Sequence, residues 1–238
     1  MEEDLRTKHA DILKDPEGPL NHYNVIYPDD PRTENYFDFC GNTIYRAYNV
    51  LSLEDRQGLL EEIDDELSKN PNWDLSVEAT KELSIRKLKN KECWVNFFKM
   101  VKHHLYNYAK VTNNPKILEL KIQSYWAKRL RDVSEEKYAE ELYINYGNTH
   151  SHQHFDLGLI FYLQNPSRIY GTIIENDGRE VIIPGDENSL LLHHSAVNHQ
   201  PAHPPPIVAK DYYRCVIVAD FMYPDKDKKM RIADDRKR

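Results

Sequence analysis

From Leu118 to Tyr223 the chain is a succession of short apolar runs broken by turn residues, and this pattern constrains the fold more than any other feature. Leu118-Glu-Leu-Lys-Ile-Gln-Ser-Tyr-Trp126 alternates almost perfectly. In an extended strand such alternation puts the apolar set on one side and the polar set on the other. Further runs cover Leu142–Tyr146, Leu157–Leu163, Tyr170–Ile174, Glu180–Ile183, Ser189–His193 and Tyr212–Tyr223. Asn176-Asp-Gly178 reads as a hairpin turn between two of them. Five of the eight glycines lie between Gly147 and Gly185, where the turns have to be tight. Short strands at this spacing predict an antiparallel barrel or sandwich, because a parallel sheet needs long crossover connections.

The first half reads differently. Residues 1–50 are expected to be an irregular arm, punctuated by Pro16, Pro19, Pro28 and Pro31, although Thr43–Val50 suits either a strand of the sheet or an extended arm on it. A helical support region is expected over 51–114. Ser52 caps its first helix with Asp55 three residues on, and Leu59, Leu60, Ile63 and Leu67 recur at helical spacing. A second helix is expected from Ser76 to about Lys89, and a third carries Trp94, Phe97, Phe98, Val101, Leu105 and Tyr108 on one face. That aromatic stripe reads as core, and His103 and His104 as surface or boundary residues. The β core then spans 115–223, with a charged insert at Ser134–Glu141, and residues 224–238 form a charged, solvated tail.

A net charge of −7 and an isoelectric point near 5.9 give no basic footprint, so neither nucleic acid nor an anionic membrane is an expected partner. No apolar run approaches the roughly 20 residues of a membrane span, and the start of the chain lacks the build of a signal peptide. A cytoplasmic location is the expectation, with Cys40, Cys93 and Cys215 as free thiols.

Seven of the eleven histidines fall between His150 and His203. His150, His152, His154 and Asp156 stand at every second position, so in a strand all four project from one face. Two such side chains, joined by a histidine from a neighbouring strand, make a facial ligand set that leaves three coordination positions open. Imidazole and carboxylate donors suit Fe(II), whereas structural zinc favours thiolates, and no cysteine is near in sequence. The bland alternative is an adventitious metal site or a set of hydrogen-bonded polar residues. His193 and His194 read as one inward and one outward residue with supporting roles.

The order H-x-H or H-x-D, then Phe161-Tyr162-Leu163, Gly171-Thr-Ile-Ile, Pro184-Gly185-Asp186, Leu190 to His199 and finally Arg214 resembles the Fe(II)- and 2-oxoglutarate-dependent oxygenases. The likeness is to phage and bacterial members and to the prolyl-hydroxylase-like branch, and it covers about residues 118–223. It implies an α+β fold, a double-stranded β-helix (jelly-roll or cupin-like barrel) buttressed by the N-terminal helices. It further implies Fe(II) as cofactor, 2-oxoglutarate and O2 as co-substrates, and hydroxylation of a small-molecule or peptidyl substrate. A homodimer through the helices is a further expectation. By the same resemblance His199 is the distal iron ligand and Arg214 binds the far carboxylate of 2-oxoglutarate, a task its planar, always-charged fork suits. Family members often carry Ser or Thr two residues after this arginine, whereas Val216 stands here, which makes Tyr162 or Tyr146 the candidate hydroxyl. For the first two ligands, strand geometry favours His150 and His152 and ligand chemistry favours His154 and Asp156; both pairs stay open. A three-histidine dioxygenase that needs no 2-oxoglutarate, and a barrel used only for binding or assembly, are the competing readings.

Overall fold

The computed structural model describes residues 35–69, 77–79, 91–130, 150–165, 168, 171–201 and 214–226. Within them the alternating runs form two antiparallel sheets. The larger contains β1 (Asn35–Phe39), β2 (Asn42–Tyr48), β3 (Val77–Ala79), β4 (Lys121–Leu130), β5 (Leu157–Gln164), β8 (Ser189–His194) and β10 (Arg214–Met222), in the order β1-β2-β8-β5-β10-β4-β3. The smaller contains β6 (Thr172–Asn176), β7 (Arg179–Ile183) and β9 (Asn198–Pro201), in the order β7-β6-β9. From β4 onward the chain passes back and forth between the sheets, so strands distant in sequence become neighbours. This is the jelly-roll, or double-stranded β-helix, architecture.

Two helices, α1 (Leu53–Ser68) and α2 (Glu92–Val111), lie on one face of the large sheet. The parity of each strand decides what it faces. Leu157, Leu159, Phe161 and Leu163 of β5 and Cys215, Ile217, Ala219 and Phe221 of β10 pack with Leu59, Ile63, Trp94, Phe97 and Val101 of the helices. The intervening residues, Ile160, Tyr162, Leu191 and Val216, pack with Ile174, Val181 and Ile183 of the small sheet. The helices therefore close one side of the sheet, and the other side is the inside of the barrel.

Local signals act as their chemistry dictates. The Ser52 hydroxyl accepts from the Asp55 amide at 3.1 Å and donates to the Asp55 carboxylate at 2.7 Å, which satisfies a free donor of α1. Asp177 and Gly178 have φ of 51° and 70°, the left-handed pair that a two-residue hairpin between β6 and β7 requires.

Four expectations are corrected. Residues 35–48 are not an irregular arm: β1 pairs with β2, and β2 with β8, so the strand reading of Thr43–Val50 is the one observed up to Tyr48. Val77–Ala79 pairs with β4 instead of opening a helix, because three residues are too few to show a period. His104 is buried on α2, with Nδ1 hydrogen-bonded to the Tyr45 hydroxyl at 2.8 Å, and joins the core instead of the boundary. The alternating run from Leu118 begins as a short 3-10 turn, Pro115–Glu119, and becomes a strand only at Lys121. The expected helix over 80–89, the insert 134–141, the strand 142–146 with Tyr146, and the tail from 227 lie outside the described residues. Among the described residues no helix is long and apolar enough to cross a membrane.

Candidate metal centre

His150 and His199 exchange both backbone hydrogen bonds, N–H to O=C at 3.1 and 2.9 Å, a bridge that sets their rings side by side with centroids 4.7 Å apart. His152 follows at the next same-side position, and its amide donates to the Ser195 carbonyl at 2.8 Å. Its ring lies 5.2 Å from both His150 and His199. The three side chains offer ligand atoms that all lie within 4.8 Å of one another. Two of the rings are oriented through their other nitrogen. His199 Nδ1–H donates to the Val197 carbonyl at 3.0 Å, and His152 Nδ1–H donates to the Asp220 carboxylate at 2.6 Å, so Nε2 of each is left to act as a donor to a metal. Burial holds the His199 imidazole neutral, pushing its pKa down to about 2, and the neighbouring histidines push the same way. A neutral imidazole is the form that binds a metal ion. Among the described residues this three-nitrogen set fits a divalent ion of the first transition series.

The alternates are placed elsewhere. Asp156 accepts from the Tyr223 amide at 2.9 Å and pairs with Lys226 Nζ at 3.0 Å, which ties the end of β10 to the loop before β5. The residues just past Pro224 are in this way held to the barrel, not left as a frayed tail. His154 is exposed. His193 is buried and His194 exposed, the inward and outward pair that strand parity predicts.

Asp220 is the residue that sequence reasoning passed over. It is 2% exposed, hydrogen-bonded to His152 on one oxygen and 3.4 Å from the Ser124 hydroxyl on the other. A lone carboxylate in Val-Ile-Val-Ala-Asp-Phe was itself the signal, since a buried charge needs a partner. Cross-strand register extends this row: Ser124 pairs with Asp220, Asp220 with Gly158, and Gly158 with His193. A Cβ at Gly158 would stand 2.9 Å from Cε1 of His193, so glycine there makes room for that ring. His193 in turn lies against His199 at 4.8 Å between centroids, and burial pushes its pKa down to about 4. Trp126, two residues along β4 from Ser124, sets its ring 5.9 Å from His152.

Arg214 occupies the other end of the inner face of β10. It is 3% exposed, donates to the Gly171 carbonyl at 3.3 Å, and lies 5.6 Å from the centroid of the Tyr162 ring. The Tyr162 hydroxyl hydrogen-bonds Thr172 Oγ1 at 2.5 Å. Burial raises the Tyr162 pKa and the arginine opposes that rise, so the phenol stays protonated.

No family model matches the chain, and no curated protein matches it. Solved structures do. It is similar to the non-heme alpha ketoglutarate dependent epimerase SnoN from nogalamycin biosynthesis, at 12% identity over 75% of this chain and 77% of that one, with a TM-score of 0.47. It is similar to the viral collagen prolyl hydroxylase of Paramecium Bursaria Chlorella virus-1, at 10% identity over 75% and 94% of the two chains (TM-score 0.45). A third is an oxidoreductase of the 2OG-Fe(II) oxygenase family from Burkholderia pseudomallei, at 10% identity over 77% and 84% (TM-score 0.43).

Proposed function

We propose that this chain is a non-haem Fe(II)- and 2-oxoglutarate-dependent oxygenase that hydroxylates an unactivated C–H bond of an amino acid, a peptidyl residue or a small metabolite. The observation that carries the reading is the convergence of His150, His152 and His199 inside a barrel whose inner face also holds Arg214. Bound there, iron would supply activation of O2, and 2-oxoglutarate would supply two electrons and leave as succinate and carbon dioxide.

The chain's own residues position and protect. The three histidines would hold the metal and leave three positions open. Asp220 fixes the tautomer and angle of His152, and its charge would partly offset that of a divalent ion held by neutral ligands. Arg214 and the Tyr162 hydroxyl would take the far carboxylate of 2-oxoglutarate, with Tyr162 serving where Val216 replaces the usual hydroxyl residue. Ile160, Leu191, Val216 and Ile174 line part of the space between the sheets with apolar side chains, which would strengthen the charged contacts beside them.

Among the described residues the cluster is made of three histidines, which favours one second reading, a three-histidine dioxygenase that binds substrate directly to iron and needs no 2-oxoglutarate. Anaerobic titration of the metal-free protein with Fe(II) and then 2-oxoglutarate separates the two. A weak visible charge-transfer band that disappears in Arg214→Ala supports the first; iron binding with no such band supports the second. Failure to bind iron at all would leave a barrel used for binding or assembly.

A further inference from the structure

The outer face of the helical layer is divided by charge. α1 and α2 run antiparallel, since Lys91 before the first turn of α2 pairs with Glu62 in the second half of α1 at 2.6 Å, and Asn96 donates to Asp55 in the first turn of α1 at 2.9 Å. At about 1.5 Å per residue, α1 lies beside the first two turns of α2, and the rest of α2 runs on past Leu53. The exposed charged residues of α1 are all acidic: Glu54, Glu61 and Asp65. From Cys93 to Leu118 the sequence has no acidic residue, and the exposed face of α2 carries Lys99, Lys102 and Lys110. One end of the layer is therefore negative and the other positive. Val95 and Tyr106 of the same face are 37% and 49% exposed, and Lys110 Nζ stands 4.3 Å from the centroid of the Tyr106 ring.

A partner of a single sign would be repelled by half of this surface. A layer with the same two ends in reverse order matches both halves, and a second copy of the chain related by a twofold axis is such a layer. The two helices, of 16 and 20 residues, present a face of roughly 35 Å by 20 Å, on the order of 700 Å². That is close to the roughly 800 Å² that each partner gives to a standard interface. Exposed ion pairs contribute only about 0–1 kcal/mol each, so Val95 and Tyr106 matter as the apolar part of the contact.

We infer that the chain forms a twofold dimer through the outer face of α1 and α2, in which Glu54, Glu61 and Asp65 of each copy meet Lys99, Lys102 and Lys110 of the other. Charge placement and exposed area carry this, whichever metal the barrel holds.

Sedimentation velocity on the full chain tests it. In about 0.1 M salt, where charges are screened over about 10 Å, a dimer should form; near 1 M, where the length is about 3 Å, it should shift toward monomer. Lys99→Glu with Lys102→Glu, and separately Glu61→Lys with Asp65→Lys, should each weaken self-association by about 100-fold or more, because both ends of the layer then lean to one sign. An equimolar mixture of the two variants should associate again as a heterodimer, since each supplies the sign the other lost. Recovery in the mixture also shows that neither variant is misfolded. If one variant does not fold, the other reversal and the salt dependence still decide. A wild-type chain that stays monomeric at about 100 μM overturns the inference and leaves the charged ends to a different macromolecule. A dimer that neither reversal weakens overturns it too, as does a loss in two folded variants with no recovery on mixing.

Discussion

His152 and Asp220 are joined by a 2.6 Å hydrogen bond across 68 residues of sequence, from the loop that carries two of the clustered histidines to a strand that is otherwise apolar. The carboxylate is buried and the imidazole largely so. Removing the charge while keeping the shape tests what the contact does. Asp220→Asn should weaken Fe(II) or Zn(II) binding by about 10- to 100-fold with little change in far-ultraviolet circular dichroism, measured by equilibrium dialysis against a chelator.

Asp156→Ala addresses the ligand set. Because Asp156 holds the Tyr223 amide and Lys226, the variant should lose about 1–3 kcal/mol of stability in denaturant unfolding. Metal affinity should stay within about twofold, and the same holds for His154→Ala. A collapse of metal binding in either variant would return that residue to the ligand set.

Gly158→Ala should disturb the centre without touching a ligand. The new methyl would meet the His193 ring at 2.9 Å, and that ring leans on His199. We expect a loss of about 1–3 kcal/mol from overpacking, together with weaker metal binding. Unchanged metal affinity would show that His199 is positioned independently of His193.

Stability of the metal-free protein should depend on pH with a definite sign. In the unfolded chain His193 takes up a proton near pH 6.5, whereas in the native barrel burial delays this to about pH 4. Between those values the unfolded state binds more protons, so stability is complete above pH 6.5 and falls as pH drops toward 4, by about 3 kcal/mol for this residue. His199 adds to the same trend. Denaturant midpoints measured across this range should show the decline, and His193→Gln should flatten part of it.

Much of this molecule was legible in the chain. The period-two runs named β5, β7, β8 and β10, the aromatic stripe named α2, and Asp177-Gly178 named a hairpin. His150 and His152 were singled out for their spacing, and His199 for its place after Leu190-Leu-Leu. What stayed hidden was cross-strand register. Nothing local in Asp220 says that it will stand opposite Gly158 and beside His152, nor that Lys128 will come near Arg214. β3 was missed because its only support is pairing with β4, and β1 because its support is pairing with β2, while the strand reading of Thr43–Val50 stayed one of two because the place of β2 depends on β8, about 140 residues away. His104 was misjudged for a different reason: its partner, Tyr45, comes from another element, and a helix pattern alone assigns a polar residue outward.

The division of the large sheet into a side packed by helices and a side that holds the polar row limits how the gene for such a protein can change. Adding or removing one codon early in β10 would turn the following side chains of that strand over, sending Asp220 toward Phe97 and Ala219 toward the histidines. Length variation in relatives of this chain should therefore gather in the connections between strands, while the strands themselves vary by substitution.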